Sequence, residues 1–316
     1  MSNQLSLRDF YGKTLVEIGK KNADIVVLDC DLSGSTRTSL FAKEFPARFF
    51  NMGVAEQNMM GTAAGLAAGG KIPFASTFAI FATGRAWEQI RQSIAYPDAN
   101  VKIVASHGGI TVGQDGPSHQ AGEDVSIMRS IPGMTVIVPA DAYDAAAAVR
   151  TAAEFVGPVY IRLTRDKFPV VYDEKRTFAI GKATVHKKGN DVTFIACGLM
   201  THESLLAAEK LSAKGISAGV LDMGTIKPLD ESAVLEAARN SGAIVAAEEH
   251  SIIGGLGSAV AETVSGSFPI PVVRVGIPDT YLSSGTPEEL MVAAGLTPDN
   301  LVEAALRAIA LKKTKS

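Results

Sequence analysis

The sequence predicts an α/β protein of two domains, each a mainly parallel sheet with helices on both faces. Three observations carry this expectation. Near-continuous apolar runs recur along the chain, as strands do when both faces of a parallel sheet are covered. Helical patterns stand between them, the alternation that builds β-α-β units. With 316 residues the chain is too long for one ordinary core and fits two domains of about 150 residues each.

Taken in order, the first half offers a helix at Leu7–Lys21 and then the strand "DIVVLDCDL". A second helix is expected over Glu56–Ala68, followed by the strand "KIPFAST", a helix at Arg85–Tyr96 and the strand "VKIVASH". The strands "MTVIVPA" and "VYIRLT" flank "DAYDAAAAVRTAAEF", which opens on aspartate, is rich in alanine and reads as a helix over Ala142–Phe155. The segment Asp166–Asn190 turns polar, charged and irregular, so a boundary is expected there: 1–170, a linker over 171–190, and 191–316. Beyond it, "DVTFIACG", "SAGVLDMG", "AIVAAEEH" and "VVRVG" read as strands. The helices between them are "MTHESLLAAEKLSAKG", "DESAVLEAARNSG" and "GGLGSAVAETVSG".

Composition narrows the function classes. Apolar residues make up 47% and charged residues 20%, the balance of a soluble globular protein, and the net charge is −3. No basic face for nucleic acid is implied, and the basic "LKKTKS" tail reads as solvated. No apolar run approaches the ~18 residues of a membrane span, and no signal peptide opens the chain. Cys30 and Cys197 each lie inside an apolar run and read as buried free thiols, which suits a reducing cytoplasm.

In α/β sheets ligands collect beyond the carboxyl ends of strands, so polar residues there are the first candidates. Asp29 and Asp31 close one strand and are not expected to serve one pocket from the strand itself. Ser106 and His107 close another. The loop after them, "GGITVGQDGPSHQAGED", carries five glycines, Asp115, His119 and two further acids within 17 residues, too polar and too free in its backbone for a mere connector. His107 and His119 are two of only five histidines. Plainer roles stand beside these: His107 capping its strand, His119 facing solvent. With Asp115 they fit no familiar zinc spacing, so no metal site is expected here. Phe78 and Phe81, spaced as on one helical turn, read first as a core pair. "GGLGSA" (254–259) either binds a phosphate or lets helix and sheet pack closely; no Walker loop is present. Glu56, in "FFNMGVAEQNMM", has no lysine near it to make it a surface ion pair.

Together, "NMGVAEQNM", "STFAIF" and "HGGITVGQDGPSHQ" resemble, in order and spacing, the pyrimidine-binding half of transketolase, a thiamine-diphosphate enzyme. "GLMTHESLLAAEKL", "GVLDMGTIKPLD" and "EEHSIIGGLGSAVAE" look like the C-terminal domain of the same family. The resemblance covers essentially the whole chain. It implies a pyrimidine-binding domain followed by a transketolase C-terminal domain. It places Glu56 against N1′ of the cofactor's aminopyrimidine ring, where an apolar setting that favours the neutral carboxyl would let a proton be shared. It makes Phe78 and Phe81 an aromatic pocket for that ring, against the plain core reading, and sets Asp31 and Leu32 near the cofactor's bend. It assigns His107, Asp115 and His119 to the sugar, His107 and His119 beside the reacting groups, and Arg8, Ser35 and Arg165 to a phosphate. The chain departs from the family at Gly84, where many transketolases carry a tyrosine.

The resemblance also implies a partner. The "GDG…N" signature that holds the divalent metal and the diphosphate in transketolases is not in this sequence. A separate N-terminal subunit is therefore expected to bind Mg2+ or Ca2+ and the diphosphate, in an α2β2 assembly acting on sugar phosphates of the pentose phosphate type. Two relatives compete with this reading, 1-deoxyxylulose-5-phosphate synthase and the beta subunit of a 2-oxoacid dehydrogenase. The set of His107, Asp115 and His119 suits a polyhydroxylated sugar better than an apolar acyl chain. A non-catalytic subunit would have no use for a costly buried carboxyl such as Glu56.

Overall fold

The computed structural model describes residues 4–313. Its strands are β1 (Gln4–Ser6), β2 (Ile25–Asp29), β3 (Phe49–Asn51), β4 (Ile72–Phe78), β5 (Lys102–Ser106), β6 (Thr135–Ile137) and β7 (Val159–Arg162). They continue with β8 (Lys167–Pro169), β9 (Thr184–Lys187), β10 (Val192–Ala196), β11 (Ala218–Asp222), β12 (Thr225–Lys227), β13 (Ile244–Ser251) and β14 (Val272–Ile277). A seven-stranded sheet runs β12-β6-β7-β5-β4-β2-β3 and a five-stranded sheet β14-β13-β10-β11-β9. All pairings in both are parallel except those of β12 and β9 at the edges. Every residue of β2, β5, β7, β10 and β11 is buried, which is why those strands read as unbroken apolar runs.

The helices form where capping and composition demand. Asp141 accepts from the Asp144 amide and starts the helix Ala142–Glu154. Glu56–Ala68 is helical as expected, with Glu56 in its first turn, where a negative charge complements the helix dipole. The helix expected at Arg85–Tyr96 differs: the winding starts directly after strand β4 and is π-wound over Phe81–Arg85 and Ile90–Ala95, with one α turn between. Phe78 therefore closes strand β4 while Phe81 lies in the first turn of the helix, so the two do not share a helical face.

The seven-stranded sheet is covered on one side by Leu7, Tyr11, Leu15, Phe41 and Val149, and on the other by Met59, Met60, Ile90 and Ile94. The second apolar layer continues through Ile195, Leu221 and Ile244 of the other sheet and Val260 of the helix Leu256–Ser267, so the halves share a core. Strand β12 explains the continuity, since it leaves the second half of the chain to pair with β6. Within 166–190, β8 pairs with β1 and β9 edges the second sheet, so this polar stretch is not without structure. The basic tail is not simply solvated: Lys312 Nζ donates to the Ser241 carbonyl at 2.7 Å, and residues 314–316 lie outside the described residues. No described helix is long and apolar enough to cross a membrane.

Candidate functional site

Strands β7, β5, β4 and β2 are neighbours in the sheet, so their carboxyl ends deliver Arg162, Ser106, Phe78 and Asp29 along one edge. The candidate residues lie on that edge or on the loops leaving it. The Phe78 and Phe81 rings stack at 5.9 Å between centroids, 16° apart. His107 stacks on Phe78 at 3.6 Å, and His119 presents its edge to both phenylalanines at 6.2 and 5.4 Å. The result is one aromatic cluster, geometrically suited to a flat ring.

His107 follows β5 directly, with φ +61, and is buried. A non-glycine residue in the left-handed region is uncommon and turns the imidazole back over Phe78. Nδ1 lies 2.8 Å from Ser106 Oγ. Burial first, then the charges of Arg8 and Arg165, push its pKa down to about 3. The ring is therefore neutral at physiological pH. Unfolding restores an ordinary value near 6.5, so acid protonates the unfolded chain first. Stability contributed here is complete above about 6.5 and is lost as pH falls from there towards about 3. A His107→Gln chain should show a flatter stability curve over that window in denaturant titrations at stepped pH. An identical curve would remove His107 as the titrating group.

Arg8, Ser35, Asp115 and Arg165 form the second part. Arg8 donates through Nε to the Arg165 carbonyl at 2.8 Å and through Nη1 to the Ser35 carbonyl at 2.6 Å. Arg165 Nη1 lies 3.3 Å from Asp115 Oδ1 and also donates to the Val112 carbonyl. Burial, then the charge of Arg37, lowers the pKa of Arg8, with Arg165 adding to it. Arg165 meets Asp115, whereas the Arg8 guanidinium donates to carbonyls, so the group keeps surplus positive charge that can seat an anion. Arg37, which sequence reasoning had not marked, belongs to this group and pairs with Asp9 at 2.7 Å.

The loop 108–124 is ordered. Gly109 and Ala121 exchange backbone bonds across its neck, and Thr111 N donates to Glu249 Oε1 at 2.8 Å. Ser284 Oγ and Gln120 Nε2 tie it to the backbone of 114 and 283. The second half of the chain thus buttresses the loop that presents Asp115 and His119.

Glu56 is 1% exposed, and both its oxygens accept from Arg85 Nη1 at 2.8 Å. The same guanidinium lies 4.7 Å over the Phe81 ring. The setting expected for Glu56 was apolar; the walls are, but a cation 29 positions away closes it. Asp29 and Asp31 separate because the strand ends at Asp29. Asp29 is buried and accepts from Leu32 N, Thr36 Oγ1 and Thr38 Oγ1, which holds the turn carrying Leu32 and Ser35. Asp31 lies past it in the left-handed region, exposed, with Asn51 Nδ2 donating to Oδ1 at 3.0 Å.

Other candidates resolve into structure. Glu248 accepts from Leu256 N and Gly257 N at 2.7 and 2.8 Å, so an internal carboxylate already fills the helix start that "GGLGSA" offered a phosphate. Both cysteines are free and buried, and burial pushes the Cys30 thiol up to about 12. "GISAG" (215–219) spells G-x-S-x-G, but Ser217 precedes β11 at its amino end and bonds Asp191, so it makes no nucleophile elbow. Among the described residues no group of three metal-ligating side chains stands together.

Fold and edge together define an α/β protein with a candidate ligand site at the carboxyl ends of a parallel sheet. Sequence models of the transketolase pyrimidine-binding domain and the transketolase C-terminal domain match residues 3–170 and 181–301. A transketolase C-terminal section from Methanocaldococcus jannaschii is 52% identical over 300 residues, 94% of each chain. A 6-deoxy-6-sulfo-D-fructose transketolase subunit from Clostridium sp. (strain MSTE9) is 46% identical over 95% of this chain and 93% of its own. A solved split-gene transketolase, described as an inactive beta4 tetramer, superimposes with a TM-score of 0.92 at 56% identity, covering 98% of this chain and 99% of that one. The chain belongs to the transketolase family, to the part that joins its pyrimidine-binding and C-terminal domains.

Proposed function

We propose that this chain is one subunit of a split, thiamine-diphosphate-dependent transketolase that moves a two-carbon ketol unit between sugar phosphates. The observation that carries the proposal is the edge itself, where a buried carboxylate, a stacked aromatic pair and crowded arginines meet around two histidines. The residues fit the ring end of the cofactor: Glu56 would meet its aminopyrimidine, Phe81 backed by Phe78 would offer it an aromatic face, and Asp31 and Leu32 would stand toward its bend. The glycine-rich helix start at 254–257 does not fit the diphosphate end, because Glu248 already fills it. In this reading a separate N-terminal subunit holds the diphosphate with Mg2+ or Ca2+, and the two form an α2β2 enzyme in the cytoplasm. The chain divides at 1–170, 171–190 and 191–316, with the site on the first part. Bound thiamine diphosphate supplies the nucleophilic carbon and the electron sink.

The chain's own residues do the rest. Glu56 holds or releases a proton at N1′ of the ring. Neutral His107, barred from charging by burial and by Arg8 and Arg165, acts as an acceptor and donor of hydrogen bonds beside the reacting hydroxyls. Asp115 reads the C2 hydroxyl, and His119 binds the carbonyl region. Arg8, Ser35 and Arg165 hold the terminal phosphate.

The test is ketol transfer from xylulose 5-phosphate to ribose 5-phosphate with thiamine diphosphate and magnesium, comparing the chain alone with the chain plus an N-terminal partner. Activity only in the mixture is expected. Activity in the chain alone would overturn the shared site, and a bound but silent mixture would favour the relatives that use pyruvate. His119→Ala is expected to raise the KM for phosphorylated sugars by about tenfold or more, the loss of one hydrogen bond to a charged or reacting group, with cofactor affinity little changed. An unchanged KM removes His119 from the substrate site.

A further inference from the structure

Before any ligand arrives, a carboxylate as buried as that of Glu56 needs a partner, because an unpaired buried charge is costly. Arg85 supplies it, and four features make that partner easy to withdraw. Its side chain is 48% exposed, so the guanidinium can return to water. Its hold on Glu56 is through a single nitrogen, Nη1, rather than the two-nitrogen fork that makes arginine pairs strong. The residue before it is Gly84, whose nearest neighbour to an added Cβ would be Ile80 at 4.0 Å, so the backbone there is uncrowded. It closes the π-wound turn Phe81–Arg85, a winding that recurs at functional sites.

The two groups that Arg85 covers are the Glu56 carboxylate and the face of Phe81. These are the groups that the proposed function gives to the aminopyrimidine ring, and the inference rests on that reading. We infer that Arg85 is a stand-in for the cofactor ring: it seats on Glu56 and Phe81 in the resting chain and swings out when the ring enters.

A stand-in competes with what it stands for. Its removal raises the energy of the resting site and so tightens ring binding, whereas removal of a group that touches the bound cofactor weakens it. The partly exposed ion pair limits the gain to about threefold to fivefold in Kd. The experiment is calorimetric titration of thiamine diphosphate with magnesium into the complex of this chain and its N-terminal partner. Parent, Arg85→Ala, Arg85→Met and Arg85→Lys chains are compared, with melting and assembly checked for each. Met keeps an aliphatic cover over Phe81 without the charge, and so separates loss of the pair from loss of packing. Ala and Met should both lower the Kd, with Lys close to the parent. An unchanged or raised Kd in the folded Met variant overturns the inference. Glu56→Gln tells that failure from failure of the function itself: full turnover in that variant sinks the role of Glu56, whatever Arg85 does.

Discussion

Glu56→Gln is expected to lower turnover of the assembled enzyme by about three orders of magnitude while leaving the assembly intact, the middle of the range for loss of a positioned acid–base group. Glutamine keeps the length and volume of the side chain in a site that is 1% exposed. It still offers one oxygen to Arg85 Nη1, so the packing around Met59 and Met60 has no reason to change. What it lacks is a proton that can be held and given up at the ring. Loss of turnover should therefore come with unaltered sedimentation and a cofactor Kd within a few fold of the parent. Parental turnover would remove Glu56 from the chemistry. A complex that no longer assembles would show that the carboxylate is structural.

The parts of the fold that were legible are those that physics writes locally. Strands buried on both faces must be apolar throughout, so β2, β5, β10 and β11 announced themselves. The three-residue strands β8 and β12 carry no period and owe their existence to distant partners. The helices Pro287–Ala293 and Pro298–Lys313 were not among the expected elements, although each opens on proline at its first position, a signal that was there to be used. In the candidate site, residue types at strand ends and in the glycine-rich loop pointed to one edge of the sheet, where the structure gathers their side chains. Contacts across 29 or 138 positions, the Arg85 guanidinium with Glu56 and the Thr111 amide with the Glu249 carboxylate, leave no trace in local spacing. Residues two apart on a strand share a face. What separates Asp29 from Asp31 is the end of the strand and a left-handed turn.

The largest stability effect is expected at Arg162, away from the chemistry. It closes β7 with 4% exposure and points into the junction of the two halves. Nε lies 3.1 Å from Asp124 Oδ2, and Nη2 donates to the carbonyls of Ala121 at 3.2 Å and Glu249 at 2.7 Å. Asp124 also accepts from the Tyr160 hydroxyl at 2.6 Å, and Glu249 receives the Thr111 amide, so one guanidinium joins both ends of the loop 108–124 to strand β13. The backbone comes so close that a Cβ on Gly108 would sit 2.3 Å from Arg162 Nε, and one on Gly109 2.1 Å from Glu249 Oε1. Arg162→Met keeps most of the volume but leaves two buried acids without their cation, a loss of about 3–5 kcal/mol. Pairing it with Asp124→Asn should recover part of that loss, since the two changes then remove a charge pair rather than break one. Denaturant unfolding measures both variants. A loss below about 1 kcal/mol in the single variant would show that the pair contributes little beyond its own desolvation. The same change should also raise the KM for sugar phosphates, because the loop that presents Asp115 and His119 takes its position from this junction.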